Sequence, residues 1–279
     1  AEIVGPYPSL LVAPHQASLV EARQLRGQAD GLNRNDSLWY RQGWVSTSPK
    51  VKVKAVFRPP RTIDYLEAPV ADRMRLDLYA TLFKKELGPK VFDQSVAGAY
   101  YDISLSLQGI ALSFEGFEPL LPGLIDSVTK EVRKGFKVTQ LALDRAVEDL
   151  SHSLQSYSEM PVTYAVSDRN LLVTAGAHSK EEGLAALKTI NATGVGSSMS
   201  ELLLGSALQF DALVMGNLGE DQATRTAAAV RRGVVSAASS TWDGGEVRPV
   251  SPVVRVGRPV ELRKLNPRQG DTNGVVVVT

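Results

Sequence analysis

Residues 97–117 constrain the fold more than any other stretch. Ile103, Leu105 and Leu107 alternate with Asp102, Ser104, Ser106 and Gln108, and beyond Gly109 the alternation resumes with Ile110, Leu112 and Phe114 against Ala111, Ser113 and Glu115. A period of two on both sides of a glycine predicts two half-buried strands joined by a tight turn. The next segment changes period: Leu120, Leu121, Leu124, Ile125, Val128 and Val132 share one helical face, with Lys130, Glu131, Arg133 and Lys134 elsewhere. Hairpin and helix each expose an apolar face that the other can cover, so the fold expected is α+β: a mixed, mostly antiparallel sheet with helices packed on one face, plus a helical subregion.

The rest of the chain fits around this unit. Residues 1–37 contain Pro6, Pro8 and Pro14 and a polar stretch from Gln24 to Ser37, and read as a linker or arm with a short helix at residues 17–25. Residues 38–42 read as a strand. Val51, Val53, Ala55 and Phe57 alternate with Lys50, Lys52, Lys54 and Arg58 in another, whose lysine side is a solvated sheet face or a guarded edge. A nucleic-acid stripe is disfavoured there because no aromatics are interleaved to stack bases. Met74, Leu76, Leu78, Tyr79, Leu82, Phe83 and Leu87 supply the apolar positions of a helix over residues 70–87 that stops at Gly88-Pro89, and residues 90–99 read as a shorter one. Thr139 is the expected N-cap of a long helix closed by Pro161. Two capping boxes, Ser179 with Glu182 and Ser198 with Glu201, are each expected to open a short helix. Residues 210–215 read as a buried strand with Gly216-Asn217-Leu218-Gly219 as its turn. A last helix is expected to begin at Glu220 and Asp221, place Arg231 and Arg232 in its final turn, and end at Gly233. Residues 236–252 read as a linker, and residues 253–265 and 275–278 as two further strands. The expected division is therefore 1–37, 38–235 and 236–279.

Bulk properties exclude more than they identify. Thirty-one basic against thirty acidic residues leave a net charge of +1, which gives no electrostatic footprint for nucleic acid. No apolar run approaches the roughly 20 residues of a membrane span. The absence of cysteine excludes disulfides and thiolate metal sites without deciding a compartment. Gly194-Val195-Gly196-Ser197-Ser198 lacks the flanking glycine and preceding strand of a nucleophile elbow, and the Gly-Lys-Ser/Thr ending of a phosphate loop, so it reads as a loop and cap. Glu148-Asp149, Glu181-Glu182 and Glu220-Asp221 are adjacent in sequence and point to different sides of a helix, as solvated pairs do. Trp39, Tyr40, Trp44, Tyr100 and Tyr101, with the turns at Gly43 and Gly109, could line a peptide-binding wall or fill sheet core.

Several of these runs carry a resemblance. Ala97-Gly98 leading to Tyr101-Asp102, the turn at Gly109, the closing Phe114-Glu115-Gly116-Phe117 and the helix after it resemble the third domain of the long-chain pitrilysin and insulin-degrading-enzyme (insulysin) family of zinc metallopeptidases. Leu38-Trp39-Tyr40-Arg41-Gln42 and Ala212-Leu213-Val214-Met215-Gly216-Asn217 fall in the order and at the separations that family places them. The resemblance implies a metallopeptidase-type domain of the LuxS/MPP-like class, and a parent that degrades peptides inside a closed chamber. Its first domain would carry zinc, and this one would be a noncatalytic wall. It also makes residues 253–279 the opening strands of a following, similar domain.

The family's zinc motif is an inverted His-x-x-Glu-His on a helix, with a further glutamate downstream. This chain has only His15, His152 and His178. The nearest match, His178-Ser179-Lys180-Glu181-Glu182, replaces the second histidine by Glu182 and is already explained as a capping box that leaves His178 outside the helix. The helix corresponding to the zinc helix, residues 70–87, contains no histidine. His152 pairs with Glu148 one turn earlier, and His15 has no candidate partner. The expectation is no catalytic, cofactor or metal residue in this chain, with zinc in the parent's first domain. The remaining parent domains and a peptide substrate are the expected partners, without nucleic acid or a membrane span. A noncatalytic scaffold or assembly subunit of the same clan is the alternative, and an independently acting peptide-binding module is disfavoured because one wall encloses too little of a peptide.

Overall fold

The computed structural model describes residues 23–25, 32, 36–42, 50–59, 68–107, 109–156, 161–174, 176–203 and 208–235. Six strands, β1 (Arg23–Leu25), β2 (Ser37–Gln42), β3 (Lys50–Arg58), β4 (Tyr100–Ser106), β5 (Gly109–Phe117) and β6 (Gln209–Gly216), form one sheet in the order β1-β2-β6-β3-β5-β4. Only β2 and β6 run parallel; the other four adjacent pairs are antiparallel. The predicted hairpin is present as β4 and β5, with Ile103 opposite Leu112 and Leu105 opposite Ile110. The predicted lysine-bearing strand is β3. It sits in the middle of the sheet between β6 and β5, so its lysines do not guard an edge.

Alternation decides which face is covered. Val51, Val53, Ala55 and Phe57 of β3 are buried on the same side as Leu112 and Phe114 of β5, Ala212 and Val214 of β6, and Leu38 and Tyr40 of β2. Helices α1 (Val70–Leu87), α3 (Leu121–Lys134) and α8 (Glu220–Val234) pack on that side. Helix α1 is also covered by α4 (Gln140–Ser156), α6 (Lys180–Leu187) and α7 (Ala192–Leu203). This double cover is why all seven apolar positions read from its sequence, together with Ala80, are buried. Tyr79 lies between Phe83 and Phe136, and burial pushes its hydroxyl pKa up to about 12.

Local signals hold where a side chain meets its own backbone. Thr139 Oγ1 accepts the N–H of Ala142 at 3.3 Å at the start of α4. Ser179 opens α6 with both bonds of a capping box, Glu182 N–H to Ser179 Oγ at 3.2 Å and Ser179 N–H to Glu182 Oε2 at 2.7 Å.

Five local expectations are corrected. The helix expected at residues 17–25 is contradicted at Arg23–Leu25, which form β1 opposite Leu38, Trp39 and Tyr40; a partner strand supplies hydrogen bonds that a short isolated helix could not recoup. Residues 90–99 shrink to a 3-10 turn at Gly88–Val91 and α2 at Phe92–Val96. Pro161, expected to close α4, instead begins a further helix, α5 (Pro161–Val173), at a position where its missing N–H costs nothing, and α4 ends at Ser156. Ser198 does not cap. Helix α7 starts six residues earlier, with Asn191 Oδ1 accepting the N–H of Gly194 at 2.8 Å, while Ser198 is buried and donates to Gly194 O at 3.2 Å. Gly194 and Gly196 are thus helical rather than in a loop. Gly233 lies inside α8, where a Cβ would stand 2.0 Å from Thr129 Oγ1 of α3, so it serves helix–helix contact rather than termination. The strands expected at residues 253–265 and 275–278, the linker at 236–252, and His15, Gly43 and Trp44 lie outside the described residues.

One ion pair ties this architecture together. Asp36, at the entrance to β2, meets Arg231 of α8 at 2.5 Å, with side chains 3% and 11% exposed. Removing Asp36 would strip the largely buried Arg231 guanidinium of this carboxylate, at a cost of up to about 3–5 kcal/mol.

Candidate functional site

The face of the sheet opposite the helices is the candidate site. Its residues follow from strand register. Trp39 of β2 stands opposite Leu213 of β6, which stands opposite Lys54 of β3, which stands opposite Ser113 of β5. The next row on the same face runs Arg41, Met215, Lys52, Glu115 and Tyr100. Trp39 is 43% and Tyr100 55% exposed, while Leu213 and Met215 are half-buried. On this face β6 carries Gln209 and Asp211 at one end and the apolar Leu213 and Met215 at the other, and the described helices cover only the opposite face.

The charges of this face are unevenly matched. Lys52 pairs with Glu115 at 3.1 Å, Arg58 with Asp211, and Asp102 with Lys84 at 2.6 Å. Each of these carboxylates is thus engaged, while Lys50 and Lys54 have no carboxylate partner among the described residues. A second apolar group, Phe92, Val96, Tyr100 and Phe117, is exposed where α2 meets the ends of β4 and β5.

The aromatics grouped in the sequence divide between the two faces. Trp39 and Tyr100 lie on the open one. Tyr40 is buried beneath the helices with its hydroxyl donating to Leu218 O at 2.7 Å, and Tyr101 points the same way, its hydroxyl 3.5 Å from Lys84 O. Only two of the four described aromatics can therefore meet a ligand on the open face. The lysine face of β3 is legible from its alternation, whereas Leu213 and Met215 read only as part of a buried run, because the place of β6 beside β2 and β3 depends on a long crossover.

The two described histidines do not converge. His152 Nε2 is 3.8 Å from Glu148 Oε1, with both side chains more than 70% exposed. His178 precedes the cap of α6 and packs beside Gly183 and Leu154. Burial, then the positive charge of Arg73, hold its pKa below the usual imidazole value against the pull of Glu182. Helix α1 presents no histidine. Among the described residues no group of three or more His, Asp or Glu side chains could hold a metal ion, and no helix is long and apolar enough to cross a membrane.

Residues 32–186 match the family model described as the middle or third domain of peptidase M16. The chain is similar to the insulin-degrading enzyme of Homo sapiens, 26% identical over 188 residues that make up 67% of this chain and 18% of that enzyme. It is also similar to a nardilysin-like protein of Arabidopsis thaliana, 24% identical over 179 residues covering 62% of this chain and 17% of that protein. Among solved structures, pitrilysin superposes with a TM-score of 0.54 at 19% identity, covering 72% of this chain and 21% of that one. A conserved protein from Enterococcus faecalis V583 superposes with a TM-score of 0.50 at 16% identity, covering 70% and 50%. The chain thus spans about a fifth of the length of the curated relatives it matches.

Proposed function

Because this chain belongs to the peptidase M16 family, of which it carries the middle or third domain, we propose that it acts as a noncatalytic wall of the peptide-degrading chamber of a zinc metalloendopeptidase, with the open face of its sheet turned to the substrate. The observation that carries the proposal is the one-sided cover of the sheet. Three helices pack on one face, and the other presents Trp39, Leu213 and Met215 beside uncompensated lysines. A peptide-facing wall accounts for apolar side chains on a side the described helices leave uncovered.

The zinc of such an enzyme belongs elsewhere in the parent. Two histidines one helical turn apart with a glutamate between them form the zinc motif of the family's catalytic domain. Here the described histidines lie on α4 and before α6, and neither shares a helix with the other. These residues do not fit zinc, and no catalytic step is assigned to them. The remaining domains and a peptide substrate are the proposed partners. The test is the double variant His152→Gln, His178→Gln in the full-length protein that carries this domain. Bound zinc by atomic emission and kcat on a peptide substrate should stay within about twofold of the parent. Loss of one equivalent of zinc, or a tenfold fall in kcat, would place a catalytic site here.

A further inference from the structure

The open face also carries information about which peptides it holds. We infer that an extended peptide segment lies along β3, with acidic side chains four residues apart on Lys50 and Lys54 and an apolar side chain between them directed toward Met215. This rests on the chamber-wall reading and adds the substrate feature that the wall selects.

Spacing is the first argument. Lys50, Lys52 and Lys54 are alternate residues of one strand and project from one face at intervals of roughly 6.5–7 Å. An extended peptide presents its own alternate side chains at the same interval, so residues i, i+2 and i+4 fall in register with the three lysines.

Charge complementarity is the second. Lys52 is paired with Glu115 at 3.1 Å, so on β3 itself the middle position offers no net charge; Met215 stands directly beside Lys52 on β6 and separates it from Arg41 on β2. Lys50 and Lys54 are exposed, and each lacks a carboxylate among the described residues. The pattern offered is cation, apolar, cation, and its complement is acid, apolar, acid. Trp39 and Leu213, in the row of Lys54, flank the peptide on the β2 side and exclude water from that end.

The probe is a blocked heptapeptide, acetyl-Thr-Glu-Thr-Leu-Thr-Glu-Thr-amide, titrated into the isotopically labelled 279-residue chain while amide and indole NMR shifts are followed. Its control replaces both Glu by Gln. Saturable shifts are expected at Trp39, at residues 50–54 and at residues 213–215. The Glu peptide should bind roughly fivefold tighter than the Gln peptide at low salt, and the difference should shrink as salt is raised. In the double variant Lys50→Gln, Lys54→Gln the two peptides should bind alike.

Equal affinity of both peptides for the unaltered chain would overturn the inference and leave the wall reading standing. Shifts confined to the helical layer, or none, would overturn it as well. So would equal shifts at the same residues from a single-stranded oligonucleotide, which would mean the lysines read any polyanion.

Discussion

Replacing Gly109 by alanine is expected to destabilise the chain by about 4 kcal/mol, seen as a fall in Tm of roughly 10 °C. Gly109 opens β5 at φ +128°, a backbone region that side chains rarely enter, and a Cβ there would lie 2.0 Å from the carbonyl oxygen of Phe57 on β3. The left-handed conformation alone costs on the order of 1–3 kcal/mol, and the overlap is with backbone rather than with a side chain that can swing away. Relief would require the hairpin to shift against β3, and β3 is hydrogen-bonded on its other side to β6. Gly216 closes β6 in the same way at the opposite end, also at φ +128°, with a Cβ 2.3 Å from Lys50 O. The two glycines bracket β3, whose register determines which lysines reach the open face. Gly123 is the control. It is exposed in the first turn of α3 with nothing within 4 Å of its Cβ position, and alanine there should stabilise by about 0.5–1 kcal/mol. Equal effects at 109 and 123 in a thermal or urea melt would contradict this packing.

Alanine at Gly233 is expected to cost about 3 kcal/mol for a different reason. A Cβ there would sit 2.0 Å from Thr129 Oγ1 and 2.5 Å from Thr129 Cβ, so rotating the hydroxyl away would not remove the overlap. Thr129 is 1% exposed and donates its hydroxyl to Ile125 O at 2.7 Å. The threonine is held by its own helix, and α3 and α8 would have to separate by about 1 Å to restore ordinary contact. The double-mutant cycle gives the test. Thr129→Gly alone should destabilise by about 1 kcal/mol or more, through lost helix propensity and an emptied contact. Yet Thr129→Gly combined with Gly233→Ala should be more stable than Gly233→Ala alone, because the clash is gone. Additive losses in urea denaturation would show that the two helices do not meet at these residues.

These two glycines also mark where sequence reasoning stops. The hairpin around Gly109 was legible because strands of period two flank it, although Gly109 itself opens β5 opposite Ser106 rather than forming the turn. Gly233 was read as a helix end, since nothing local announces that Thr129, more than a hundred residues earlier, occupies the space a side chain would need. The same division runs through the fold. The buried positions of α1, the hairpin and the Ser179 cap follow from patterns spanning a few residues. The strand at Arg23–Leu25 and the start of α7 depend on partners the local pattern does not contain. At the candidate site, the alternation of β3 showed that its lysines share a face. That this face lies in mid-sheet, beside Trp39, Leu213 and Met215, follows only from the insertion of β6 between β2 and β3.

The most direct test of the account is site-specific photo-crosslinking in the full-length protein. A benzophenone amino acid would replace Trp39 on the open face and, separately, Leu141, which is 62% exposed on α4 in the outer helical layer. With a labelled peptide substrate, the account predicts a crosslink from position 39, suppressed by excess unlabelled peptide, and none from position 141. Crosslinking from position 141 alone would mean that peptide meets the helical layer instead, and that the open face is not the wall of the chamber.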